Sequence, residues 1–545
     1  MNAGAGRQVT PYTLPEAETP GSIFNDVIGP VMRGPSSSHC AAALRIGRLA
    51  RDLMGDDVGE VVVEYDTHGS LATTHHSQGS DMGLFAGLMG WDATDERLPD
   101  SGHILRETGV HVSIKTSDFH DPHPSTYHLT LLSPRERHVM TAISKGGGMI
   151  EVIGLDGFSL SIAGDYWETL ICLKAGGSQA LPRFAQAIQA DYILIHEGSD
   201  GPLVQIKAQR FVEDPEILGR LRQQEVQYVK RLSPVLPILS RKDLRVPFST
   251  CAEMLRCNDV RNRRLWELAV QYESERAGLS AVDVIRRMVE IVRIVRSSVE
   301  RGIQGTAYQD RILGHQCGVF KQRMETGHLL DAGLMNRIVL YVTALMEVKS
   351  AMGVIVAAPT AGACAAFPGA CLAAADTLEL PEQDVAKAML AGGIIGVLIA
   401  TKSTFAAEVA GCQAECGAGS GMAAAALVTL AGGNTGQAVA AASMALQNSL
   451  GMVCDPVANR VEVPCLGKNI MAAANALACA NMALADYDPV IPLDEAIEAM
   501  DHVGRSLPRE LRCTALGGLS VTRTSRQIED RLRRQHNSRD ETEAR

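Results

Sequence analysis

The segment EVAGCQAECGAGSGMAAAALVTLAGG, Glu408–Gly433, and the stretch GMVCDPVANRVEVPCLGKN, Gly451–Asn469, decide the fold class of the C-terminal half. No charged residue falls between Glu415 and Asp455, yet Gly, Ser, Asn, Thr and Gln recur throughout. The longest strongly apolar run, MAAAALVTLA, is too short to cross a bilayer. Buried helices of a globular interior fit the pattern, with small residues that let helices approach closely. Cys412, Cys416, Cys454 and Cys465 stand at the ends of these uncharged stretches. Cys454 precedes DPV and Cys465 follows VEVP, so both lie at proline-marked breaks. Such breaks free backbone N–H groups for thiolates or cluster sulfurs.

Composition narrows the class around this segment. The 545 residues give room for about two to four domains. A net charge of −11 and a pI near 5.8 exclude a basic nucleic-acid-binding face. The N-terminus lacks a basic-then-apolar leader. The 13 cysteines are odd in number and scattered, unlike a secreted disulfide framework. A cytoplasmic protein without a membrane partner is expected, its thiols being either inert core residues or metal ligands. For any single cysteine the inert core role is the commoner one.

Toward the N-terminus the signal changes to β. EVVVEYDTHG, GVHVSIKT, TYHLTLLS and MIEVIGLDGFSLSI alternate or cluster β-branched residues, and SHCAAALRIGRLARDLMG predicts a helix stopping at Gly55. Residues 166–212 read as a small strand–helix–strand unit, with ETLICLK, LPRFAQAIQ, DYILIHEG and PLVQIKAQRF in order. KRLSPVLPILSRKDLRVP, with three prolines, is a linker. Beyond residue 248, RRLWELAVQYESERAG and AVDVIRRMVEIVRIVRSSVERG are amphipathic at helical period and end at glycine. Acids interrupt the arginine-rich end, residues 523–545, which predicts a disordered tail. The expected fold class is multidomain α+β. It comprises a mixed α/β domain over 22–165, a degenerate βαβ module and linker over 166–235, and an all-α catalytic domain over 248–522.

Three further stretches carry polar chemistry. RGPSSSHCAAALRIGR, residues 33–48, sets Ser36, Ser37, Ser38 and His39 before a helix, where hydroxyls and backbone N–H groups suit an anion. An ordinary serine cap with a surface histidine is the alternative. DTHGSLATTHHSQGSD, residues 66–81, offers His68, His75 and His76 after a strand, as bases, ligands or surface groups. AMGVIVAAPTAGACAAFPG, residues 351–369, joins a strand-like piece to a Thr-Ala-Gly turn. The spacing of Cys412, Cys454 and Cys465 matches neither a zinc ribbon nor a bacterial ferredoxin. Spacing alone therefore leaves an iron–sulfur site, structural zinc and inert thiols all open. A cluster held by three thiolates would keep one iron free as a Lewis acid.

Together, GPSSSH, HGSLA, DERLPD, VIVAAPTAG, AGCQAECGAGSGMAAAAL, CDPV, VEVPC and LRCTALGGLSVT resemble the iron–sulfur-dependent L-serine dehydratases in their fused single-chain form, over residues 22–522. The resemblance implies a 4Fe–4S cluster on Cys412, Cys454 and Cys465, with Cys416 a non-ligand neighbour. It implies elimination of water from L-serine to give pyruvate and ammonia, an ACT-like βαβ module, and a homodimer whose partner is a small amino or hydroxy acid. Candidate catalytic residues are His39, His75, His76, Gln78 and Lys468. Substrate would meet Ser36, Ser37, Ser38, Gly69, Ser70, Thr360, Ala361, Gly362 and Asn469.

Differences from the family concentrate where substrate binds. The family's TGKGHGTD stands here as THHSQGSD, so Gln78 occupies the place of a histidine, and a neutral amide has no useful basicity. SSSHC replaces SSSHT at Cys40, and VPCLGKN replaces VPCIERN, bringing in Gly467 and Lys468. Tail ligation by a terminal cysteine is excluded, because none follows Cys513. A changed substrate, or a non-catalytic iron–sulfur or amino-acid sensor, are the competing expectations.

Overall fold

In a computed structural model, the structure describes residues 20–55, 57–175, 181–219, 221 and 225–543. The chain is mixed α/β, with sheets in the N-terminal part and helices dominating the C-terminal part. The first sheet has six strands in the spatial order His111–Ser117, Glu60–Asp66, Thr126–Leu132, Arg137–Gly146, Met149–Leu155 and Phe158–Ile162. Only its first pair is parallel. Alternating burial along Arg137–Gly146 shows one face turned to a core shared with the helix Ala42–Met54. That helix ends at Gly55, whose left-handed φ of 60° caps it, as the sequence predicts.

The second sheet extends the expected βαβ module by a further helix and strand. Strands Trp167–Leu173, Tyr192–His196, Leu203–Ala208 and Val226–Leu232 are wholly antiparallel, in the spatial order fourth, first, third, second. Helices Leu181–Ala187 and Asp214–Leu218 make the unit βαββαβ, a split pair of βαβ elements. Its last strand runs into the start of the stretch the prolines mark as linker, paired with Trp167–Leu173 just before Pro234.

The C-terminal core centres on the helix Ala418–Leu430, almost wholly buried. The helices Ala366–Thr377, Glu382–Lys402, Thr435–Gln447 and Cys465–Leu484 surround it. Glu382–Lys402 is long and apolar enough for a membrane span, but 78% of that window is buried within the protein. Gly302 does not stop its helix, which runs Ala281–Gln304. Instead it admits the crossing helix Leu334–Ser350, since a Cβ there would come within 2.4 Å of the Ala344 carbonyl.

Two expectations about this region are corrected. The helical part is not purely α, because Val354–Val356 pairs antiparallel with Val31–Arg33 near the N-terminus. Residues Arg523–Glu543 form a helix instead of a disordered tail, anchored where Leu532 is buried. The N-terminal segment also docks on the helices. The Ser22 hydroxyl and the Ile23 N–H donate to the buried Glu273 carboxylate at 2.6 and 2.8 Å.

Candidate active site

Two wide helical turns frame the site, a local form that recurs at functional positions. Ser37–Ala41 leads into the helix Ala42–Met54, and Gln413–Gly417 leads into Ala418–Leu430. Cys412 immediately precedes the second turn and is buried. Its sulfur, a Glu415 carboxylate oxygen and the Cys454 sulfur lie mutually within 4.8 Å. Cys465 begins its helix after Pro464 and stands outside that trio, near enough to feel the charge of Cys412. Thiols of Cys416 and Cys454 donate to Cys412 and pull its pKa well down, while the same interaction raises both donors. Burial, then Cys412, pushes the Glu415 carboxyl well up.

Cys454 is fixed by backbone. Its N–H donates to the Leu511 carbonyl at 2.8 Å, and its carbonyl accepts from Cys513 N–H at 3.0 Å. Buried cysteine sulfurs, once deprotonated, are soft donors suited to iron–sulfur chemistry. The donor set fits such a group, and Cys412, Cys454 and Cys465 are the residues that could hold it.

The serine segment meets the same region. Ser37 Oγ accepts from Ala361 N–H at 3.0 Å, joining the serines to the Thr360–Gly362 turn. Thr360 Oγ1 donates to Glu415 at 2.6 Å, and a Cβ on Gly362 would meet that carboxylate at 2.8 Å. Ser38 offers its carbonyl to Ser144 Oγ at 2.7 Å. Asn469 accepts from Ala366 N–H at 2.9 Å and donates to the carbonyls of Gly362 and Cys465 at 2.8 and 2.9 Å, bracing the turn against Cys465.

His39 lies at the centre of this layer, fully buried. Burial, then His75, lowers its pKa to about 3, so the ring is neutral near pH 7. Thr74 Oγ1 donates to the Ser70 carbonyl at 2.7 Å and therefore accepts from His39 Nε2 at 2.8 Å. That fixes the tautomer with Nδ1 bare, 3.1 Å from Ser36 Oγ and 3.6 Å from Glu408 Oε1. Burial raises the Glu408 carboxyl, with Cys412 adding to it.

A family model described as Serine dehydratase alpha chain matches residues 261–520. The chain is 34% identical over 285 residues to the probable L-serine dehydratase, alpha chain, of Bacillus subtilis, covering 52% of this chain and 95% of that one. It is 39% identical over 150 residues to the corresponding probable beta chain, covering 28% and 67%. A single-chain L-serine dehydratase of Streptomyces coelicolor is 28% identical over 504 residues, covering 90% and 96%. The chain belongs to the serine dehydratase family. It is the fused form, one chain matching what B. subtilis carries as two.

The serine dehydratase motifs now locate the remaining residues. Gln78 is buried and donates to Asn459 Oδ1 at 3.1 Å and to the Cys513 sulfur at 3.5 Å. Cys513 shares an apolar cluster with Cys412 and Cys454, a contact that sequence spacing gave no means to foresee. His75 is held by Asp81 at 2.8 Å beside the Tyr65 ring. His76 lines a cavity of about 300 Å³ with Asn459, Arg460 and Arg533. Gly69 packs under Pro124, and Ser70 Oγ meets Ser125 Oγ at 3.2 Å. Lys468 Nζ donates to Val453 O and to Asp455 Oδ1 at 2.5 and 2.8 Å, clamping the Cys454 loop. Burial opposes its charge, but Cys412 and Asp455 raise its pKa. His68 stays half exposed among Asp66, Asp118 and His120.

Proposed function

We propose that this protein is a cytoplasmic, homodimeric 4Fe–4S-dependent lyase that removes water from a small β-hydroxy amino acid, with L-serine as first substrate. The observation that carries the reading is the convergence of three buried cysteines with the serine segment through the Ser37–Ala361 bond. One relative named L-serine dehydratase matches 90% of this chain. Cys412, Cys454 and Cys465 would hold the cluster, which would supply Lewis acidity for the leaving hydroxyl. The Ser36–Ser38 segment orients the substrate carboxylate through hydroxyls and N–H groups. Neutral His39 donates Nε2–H to Thr74 and accepts the Ser36 hydroxyl at Nδ1, so it positions the serine segment; with its pKa lowered to about 3 it is no base for the α-proton. Loss of the α-proton and of hydroxide leaves an enamine, which water hydrolyses to pyruvate and ammonia.

Anaerobic reconstitution followed by release of 2-oxo acid from a panel of β-hydroxy acids tests the proposal. Iron-loaded protein that turns over none of them overturns it. Gln78 supports a second reading, an iron–sulfur amino-acid sensor, because an amide bonded to Asn459 and Cys513 is no base. Ligand-dependent spectral change without product would favour the sensor.

A further inference from the structure

Lys349 ends the helix Leu334–Ser350 and is 0% exposed, yet its ammonium has no hydrogen-bond partner among the described residues. Desolvating a cation without a partner is strongly unfavourable, and native proteins pair such groups. A lysine in the last turn suits the helix dipole, but that field leaves its three N–H donors unmet. The acids nearby are engaged elsewhere. Glu347 holds His315 and the N–H groups of Gln316 and Cys317, and Glu462 holds those of Ile312 and Leu313. Glu415 takes the Thr360 hydroxyl.

The charge of Lys349 is felt at Cys364 and Glu462. The stem lies under the glycine that opens the serine segment, where a Cβ on Gly34 would come to 3.2 Å of Lys349 Cγ. The buried side chain therefore runs from the last turn of Leu334–Ser350 beneath the start of the serine segment.

We infer that Lys349 receives a second anionic group of the ligand, a carboxylate additional to the one held by Ser36–Ser38. A β-hydroxy acid with two acidic groups would then be bound in preference to L-serine, which fills only the first of the two anion positions. This inference rests on the lyase reading for the reaction, but its binding consequence is independent of turnover. The charge-assisted bond to a carboxylate is the strong type of hydrogen bond, and its loss leaves a buried charge unpaired.

The test uses full-length protein reconstituted anaerobically. Binding by calorimetry and turnover are measured for L-serine, for 3-hydroxypropanoate, and for β-hydroxy dicarboxylates of graded length. The best dicarboxylate is expected to bind about tenfold or more tightly than either mono-acid. Lys349→Met is expected to erase that preference while iron content and visible spectrum stay at the wild-type level, and Lys349→Arg to keep part of it. Wild-type protein that does not favour a dicarboxylate overturns the inference, whether or not the lysine variants fold. So does a Lys349→Met protein that loses iron but keeps the preference, since the cation would then serve the metal group. Turnover of L-serine without dicarboxylate preference sinks this inference and spares the lyase. Dicarboxylate preference without turnover of any acid does the reverse.

Discussion

Replacing Cys412, Cys454 or Cys465 with serine exchanges a soft thiolate for a hydroxyl that holds iron poorly. Each variant should lose the brown chromophore and most bound iron, whereas Cys416→Ser should keep both. Iron and sulfide analysis of anaerobically purified protein checks this. Gln78→Ala should destabilise the fold by about 1–3 kcal/mol, since it strips a buried partner from Asn459 and Cys513; denaturant titration of the metal-free protein measures it. At this scale the sequence was informative where a motif carried the chemistry. The cysteines at proline breaks and the serines before a helix both reach one region. Lys349 and Cys513 were not legible, because nothing in their local sequence tells that a distant segment will leave one without a partner and set the other beside Cys454. Lys468 was anticipated as a substrate-site group, yet its ammonium is occupied by the loop that carries Cys454.

Between elements, glycine sets the distance on which the site depends. Gly83 on the helix Ser80–Leu88 lies against Cys40, where a Cβ would come to 2.0 Å of the Cys40 carbonyl. Gly83→Ala should therefore push the two helices apart, costing about 1–3 kcal/mol by overpacking. It should also lower turnover by stretching the His39–Thr74 bond; thermal melting with steady-state assays shows both. Glu273 gives a pH signature. Burial raises its carboxyl above the ordinary 4.5, only partly offset by Arg276. The folded state binds that proton more tightly than the unfolded chain. This contribution is full below pH 4.5 and is lost as pH rises through the raised value. Glu273→Gln should flatten the decline, as read from denaturation midpoints over a pH series. Strand and helix periods were legible for most elements. Arg137–Gly146 escaped because His, Thr and Ser fall on both faces of RHVMTAISKG, so its burial alternates only beside its sheet neighbours.

For the molecule as a whole, the β-type and α-type parts are one chain here and two in B. subtilis. The contacts between them do not need the covalent link: Val31–Arg33 pairs with Val354–Val356, and Ser22 bonds Glu273. A chain cut between Leu236 and Val246 and expressed as two fragments should re-form the complex and regain iron, which co-purification through a tag on one fragment tests. The division into β-rich and helical parts was legible in the change of hydrophobic period, whereas the exchange of a strand between them was not, since three-residue strands carry no period. The backbone ladder that grips Cys454 from both sides with Leu511 and Cys513 has a temporal meaning. Synthesis runs from the amino end, so the cradle of Cys454 closes only after Cys513 has been made. A chain that stops before Leu511 lacks both rungs of that ladder, so the backbone around Cys454 is held from both sides only when the later segment is present.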